Sequence, residues 1–191
     1  MNIVLGITGS VASRLSPVLH QELSVLGNVN VVATKSALNF TDIECYTDED
    51  EWKYWHEKQE VLHIKLRQEA SVLVLAPLDA NTLAKMSNGI CDNLLTSLVR
   101  AWDINRPIVI APSMNTHMWE HPITNKQIDK ILKWGYDVRV INPVEKTLVC
   151  GDTGIGALAD IDNIVKEVQE SLTWDLPLKR LNGIPCELPR P

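Results

Sequence analysis

The chain has 191 residues, of which 45% are hydrophobic and 22% charged, and its formal net charge is −6. That is enough for one domain with a sizeable core, while the lack of an apolar run near the ~18 residues of a membrane helix and the interspersed, net acidic charge argue against a membrane protein and a nucleic-acid binder. Cys45, Cys91, Cys150 and Cys186 lie far apart with no CxxC pair, and the N-terminus has no basic start or cleavage site; a disulfide framework, a zinc site and a signal peptide are not expected, and a reducing cytoplasm fits.

Apolar runs at residues 3–8, 30–33, 72–76, 108–111 and 138–141 read as short buried strands, and between them lie amphipathic patterns such as Leu15, Val18, Leu19, Leu23 and Leu26. Strand–helix alternation predicts a single-domain, Rossmann-like (flavodoxin-like) α/β fold, a doubly wound parallel sheet with helices on both faces. The first strand ends in Gly6-Ile7-Thr8-Gly9-Ser10. A small-residue turn before a helix suits a phosphate, and equally a plain helix cap. The dinucleotide fingerprint GxGxxG is missing, and the second strand ends in Ala33-Thr34-Lys35-Ser36 rather than in an acidic residue. Hydroxyls and a cation suit a phosphate or ribityl chain better than an adenosine ribose, so the pattern leans towards a mononucleotide such as FMN.

Residues 42–60 are acidic, carry Trp52, Tyr54 and Trp55, and read as a short helix or a flap. His63 follows in an apolar setting; such a histidine is commonly structural, yet it is also the natural general base at neutral pH. After the third strand, Asp79 or Asn81 is expected to cap a helix. Cys91 falls in a helical pattern, and Leu94, Leu95, Leu98, Val99 and Trp102 share one helical face. The fourth strand leads into P-S-M-N-T-H-M-W at 112–119, where the amide of Asn115 in an apolar frame can orient a small ligand. Gly9, Thr34, Asn81 and Asn115 all follow strand C-termini, where an α/β crevice forms. His117 and His121 have i, i+4 spacing, but Pro122 follows at once and no metal site is expected. Cys150 sits among Gly151, Gly154 and Gly156, which read as a mobile loop and a plausible lid. Ile161, Ile164, Val165, Val168 and Leu172 mark the last helix, and residues 173–191, with Pro177, Pro185, Pro189 and Pro191, read as an extended or disordered tail beyond a 1–172 domain.

Six ordered motifs, GITGSVA, VLHIKL, APLDANTLAK, GICDNLLTSLVRAWD, PSMNTHMW and LVCGDTGIGALA, resemble one family over about residues 2–172: the homo-oligomeric flavin-containing cysteine decarboxylases. The resemblance implies an FMN cofactor bound by Gly9, Ser10 and Val11, by Thr34 and Ser36, by Asp79, Ala80, Asn81 and Thr82, and by Ser113. It implies His63 as catalytic base, Asn115 as the grip on the substrate carboxylate and Cys150 as proton donor. The implied reaction acts on a phosphorylated cysteine conjugate of coenzyme A biosynthesis, phosphopantothenoylcysteine: its side chain is oxidised to a thioaldehyde, carbon dioxide leaves, and the ene-thiol is re-reduced to phosphopantetheine. Family alternatives are oxidative decarboxylation of a peptide's C-terminal cysteine, as in lantibiotic maturation, and a non-enzymatic regulatory subunit. Cys150 favours the reductive route. A trimer or an assembly of trimers is also implied, with the flavin at a subunit interface and His63 reaching it from a neighbouring chain. Asp79, Ser113 and Gln68 depart from the residues common in the family, and Gln68 puts a substrate-phosphate contact in doubt.

Overall fold

The computed structural model describes residues 1–147 and 153–173. Five parallel strands form the central sheet: β1 (Asn2–Ile7), β2 (Asn28–Ala33), β3 (Val72–Leu78), β4 (Ile108–Pro112) and β5 (Val138–Val140), in the order β2-β1-β3-β4-β5. Strand order reverses between β1 and β3, because the chain leaves β1 for β2 on one side and then crosses to β3 on the other. Every strand expected from the sequence is present. A separate antiparallel hairpin, β6 (Val144–Thr147) and β7 (Thr153–Ala157), was not foreseen, because its alternation is short and interrupted by glycines.

Alternate residues of each central strand enter opposite cores, as the pleat requires. Ile3, Leu5, Val72, Val74 and Val109 face α1 (Ser16–Ser24) and α8 (Ile161–Thr173), which bring Leu19, Leu23, Ile164 and Val168. Val4, Leu73, Leu75, Ile108 and Ile110 face the other layer. That layer consists of α3 (Leu62–Glu69), α4 (Ala80–Ser87), α5 (Leu94–Arg100) and α7 (Pro122–Leu132). All seven residues of β3 are buried, which explains the unbroken apolar run in its sequence: a strand covered on both faces has no polar side. The first amphipathic stripe is narrower than expected, since Val18 on α1 and Leu15 just before it remain exposed.

The acidic stretch resolves as α2 (Asp48–Lys58), closed at its start by a reciprocal capping box between Thr47 and Asp50. It buries none of its own residues fully, and Trp52 and Trp55 are exposed. The expected tail lies, from residue 174, outside the described residues.

The α5 contribution to the core is directly measurable. Leu98 is fully buried beside the sheet. Leu98→Ala should lower the unfolding free energy by about 2–5 kcal/mol in a guanidinium titration; a change under about 0.5 kcal/mol would contradict this packing.

Candidate functional site

The C-terminal ends of β1, β3 and β4 open onto one cavity of about 560 Å³, whose walls include Gly9, Ser10, Val11, Asp79, Ala80, Asn81, Ser113, Met114 and Asn115. Its size is that of a small-molecule site. Each strand end continues into a helical turn whose N-terminal residue is capped. Ser10 caps the 3-10 turn Val11–Leu15 by accepting from the Ala12 N–H at 3.3 Å. Asp79 caps α4, its Oδ1 accepting from the Thr82 N–H at 2.7 Å. Asn115 caps α6 (Thr116–Trp119), its Oδ1 accepting from the His117 N–H at 2.9 Å. The capping reading of these residues and the ligand reading are therefore not rivals: the caps themselves line the cavity. Helix starts turned towards one space present positive dipole ends to it, which favours anionic groups.

Hydrogen bonds tie the turns together. Thr8 Oγ1 donates to the Pro77 carbonyl at 2.8 Å and accepts from the Asp79 N–H at 2.7 Å, joining the β1 and β3 turns. Ser10 and Ser113 meet hydroxyl to hydroxyl at 3.2 Å, joining β1 to β4. Gly9 is required by closeness: a Cβ there would stand 2.6 Å from Ser36 Cβ and 3.0 Å from Asp79 Oδ2. The β2 turn thus lies against the β1 turn, although Thr34, Ser36 and Thr82 do not line the cavity itself. Thr34 is held by its N–H to the Ile7 carbonyl at 3.0 Å, and its buried hydroxyl has no hydrogen-bond partner among the described residues.

Two basic residues that sequence reasoning passed over, Arg14 and Lys146, also line the cavity. Lys146 Nζ is 2.9 Å from Asp160 Oδ1 on the exposed side. Neither stands in a recognisable pattern, since Arg14 follows the turn by a few residues and Lys146 arrives from the unforeseen hairpin.

The glycine-rich segment, expected as a mobile loop, is in part a docked strand. The Met114 N–H donates to the Gly156 carbonyl at 2.9 Å. A Cβ on Gly156 would stand 2.2 Å from the Met114 carbonyl oxygen, so the hairpin approaches the Asn115 loop backbone to backbone. Cys150 lies outside the described residues.

His63 is not part of this cavity. It sits in the first turn of α3, half-buried, with Nδ1 2.7 Å from Glu51 Oε1. His121 caps α7, its Nδ1 accepting from the Ile123 N–H at 3.2 Å, and His117 is exposed. Cys91, read as part of a helix, is exposed in the connection before α5; its neighbours carry the helical spacing, but Asn93 begins the helix. Burial pushes the Cys45 thiol up, with Asp50 adding to the effect, which makes it a poor nucleophile at neutral pH.

Fold and cavity define an α/β protein with a mononucleotide-type site at its topological switch point, and comparison with known proteins makes this specific. The Flavoprotein family model matches residues 1–173, and the chain belongs to that family. It is 46% identical over 179 residues to phosphopantothenoylcysteine decarboxylase of Mus musculus, covering 90% of this chain and 87% of the mouse protein. Among solved structures, a cysteine-to-serine mutant of PPC decarboxylase complexed with pantothenoylaminoethenethiol superposes with a TM-score of 0.84 at 42% identity, covering 88% of this chain and 96% of that one. The FMN binding protein AtHal3 gives a TM-score of 0.80 at 42% identity, covering 88% and 95%.

Gly156→Ala should push the hairpin off the Asn115 loop. Amide hydrogen exchange at Met114 is the readout, because its N–H is held by the Gly156 carbonyl. Exchange should accelerate at least about tenfold, equivalent to about 1.4 kcal/mol of local opening; unchanged protection would mean that the close approach is not needed.

Proposed function

We propose that this chain is an FMN-dependent carboxy-lyase that converts phosphopantothenoylcysteine to phosphopantetheine in coenzyme A biosynthesis. The observation that carries the reading is the convergence of the Gly9–Ser10 turn, the Asp79–Asn81 cap and the Ser113–Asn115 loop on one cavity, in a chain this similar to phosphopantothenoylcysteine decarboxylases.

The residues present fit FMN. The orphaned Thr34 hydroxyl beside the β1 turn offers a buried donor and acceptor to a ligand, and the Gly9 turn with the capped N-termini around it suits a phosphate. Gly9, Ser10, Val11, Thr34, Ser36, Asp79, Ala80, Asn81, Thr82 and Ser113 would hold the cofactor. When bound, FMN supplies reversible two-electron chemistry, so the substrate's cysteine carbon can be oxidised and later reduced in a net redox-neutral reaction.

The protein's own residues position and move protons. Asn115 has its oxygen committed to the start of α6, so the end that suits a substrate carboxylate is its NH2 group. Fixing the carboxylate places the cysteine side chain beside the cofactor. Oxidation at that side chain makes the conjugate resemble a β-keto acid, from which carbon dioxide leaves to give a stabilised ene-thiolate. His63 accepts the proton lost in oxidation, and Cys150 returns one as the ene-thiolate is reduced. Arg14 and Lys146 give the cavity a cationic side that suits the anionic conjugate.

His63 does not line the cavity of its own chain, and we infer that a second copy supplies it. We assign a homo-oligomer, a trimer or an assembly of trimers, in which His63 of one chain completes a neighbour's cavity. Exposed apolar residues flank both halves: Trp52, Trp55 and Val61 near His63, and Val11, Leu15 and Met118 at the cavity. Such surfaces favour contact between copies. Among the described residues no helix is long and apolar enough to cross a membrane, and we place the enzyme in the cytoplasm, with residues 173–191 as a tail outside the catalytic domain.

Mass spectrometry of the product after incubation with phosphopantothenoylcysteine tests the reading. Phosphopantetheine is expected. A product two hydrogens lighter would indicate the oxidative, peptide-type reaction, and flavin-bound protein that releases no carbon dioxide would leave only a regulatory role. Two variants test the assigned residues. His63→Asn should lose about 10²–10⁴-fold in kcat while the protein stays yellow, whereas loss of the flavin would mark a structural histidine. Cys150→Ser should stop at the oxidised ene-thiol, and a normal yield of phosphopantetheine would remove Cys150 from the mechanism.

A further inference from the structure

We propose that Glu51 is the positioning residue of His63, fixing both its ring tautomer and the start of the helix that carries it. The proposal rests on the reading of His63 as the base. Its α3 helix begins at Leu62 after Val61, which provides no side-chain cap. The cap comes instead from α2: Glu51 Oε2 accepts from the His63 backbone N–H at 3.1 Å. The other oxygen of the same carboxylate, Oε1, is 2.7 Å from His63 Nδ1. An ionised carboxylate only accepts, so Nδ1 carries the hydrogen and the lone pair is left on Nε2, at the far side of the ring. One side chain therefore holds a backbone donor and a ring donor of the same residue, which leaves the imidazole little freedom to turn over.

The two helices that carry the pair are themselves tied down. The Thr47 N–H donates to Asp50 Oδ2 at 2.7 Å in the box that opens α2. Asp48 Oδ1 accepts from the Leu94 N–H at 2.7 Å, tying the start of α2 to the start of α5. At the other end of α3, the Arg106 guanidinium donates to the Ala70 carbonyl at 2.6 Å. The side chains of His63 and Glu51 are only 24% and 17% exposed, so water competes weakly for the contact. A base needs its lone pair aimed before the substrate arrives.

The test is Glu51→Gln in the full-length holoenzyme, with ¹⁵N-histidine spectra of both forms and His63→Asn for assignment. Glutamine keeps the shape but cannot accept from the ring and the backbone at once. In the unmodified protein His63 should be protonated at Nδ1 and bare at Nε2, and Glu51→Gln should mix the tautomers. Turnover should fall about 10- to 100-fold, part of what a positioned base contributes, with KM and flavin content within about twofold of the unmodified enzyme. A neutral His63 protonated at Nε2 in the unmodified protein overturns the proposal without reference to any variant. Unchanged kcat and tautomer in Glu51→Gln overturn it as well. If the unmodified enzyme releases no carbon dioxide from phosphopantothenoylcysteine, the decarboxylase reading falls, while the spectra still decide whether Glu51 sets the ring.

Discussion

Each of β1, β3 and β4 is paired with a parallel neighbour on both sides and covered by helices on both faces. Strands so enclosed have no free edge and no wet face, and their carboxyl ends are where the chain can offer polar groups to a ligand. The turns after them are locked to one another by the Thr8 hydroxyl and by the Ser10–Ser113 contact. Caps, cavity and hairpin all take their position from this locked edge. A shift of β3 against β1 would separate Asp79 from Gly9 and leave the cofactor turn without its floor.

His63 is supported by a different part of the molecule. His63 stands on a helix whose start is set by α2, and α2 is set by α5. This places His63, the proposed base, on a helical layer while the residues proposed to hold cofactor and carboxylate stay on the sheet edge. In the proposed assembly, association would couple turnover to oligomer formation, since His63 does not line the cavity of its own chain. The exposed Trp52 and Trp55 on an otherwise acidic helix would offer apolar surface to a neighbouring copy in that assembly.

Much of the fold was legible because buried parallel strands announce themselves as Val- and Ile-rich runs. The turn residues were legible for a related reason: Gly9, Asp79 and Asn115 stand immediately after those runs, and the ordered motifs carried the family. What the sequence concealed depends on distance through space. Glu51 is twelve residues before His63, in an acidic stretch that reads only as a short helix or a flap. The β6–β7 hairpin hid because Gly156 serves close approach to Met114, and Gly154 close approach to Thr116, rather than flexibility. The 108–111 run was plain as a strand, but nothing in it foretold that Gly156 would hold the loop that follows.

The division of the site between two chains is the claim on which the mechanism stands, and mixed assemblies test it most directly. His63→Asn and Asn115→Ala chains, each inactive alone, are unfolded together, refolded and assayed for carbon dioxide release from phosphopantothenoylcysteine. If one chain's His63 serves its neighbour's cavity, random mixing in a closed ring restores about a quarter of the sites, and activity returns to roughly that fraction. If His63 serves its own chain, no site in the mixture carries both groups, and activity no higher than that of the separate variants would contradict the account.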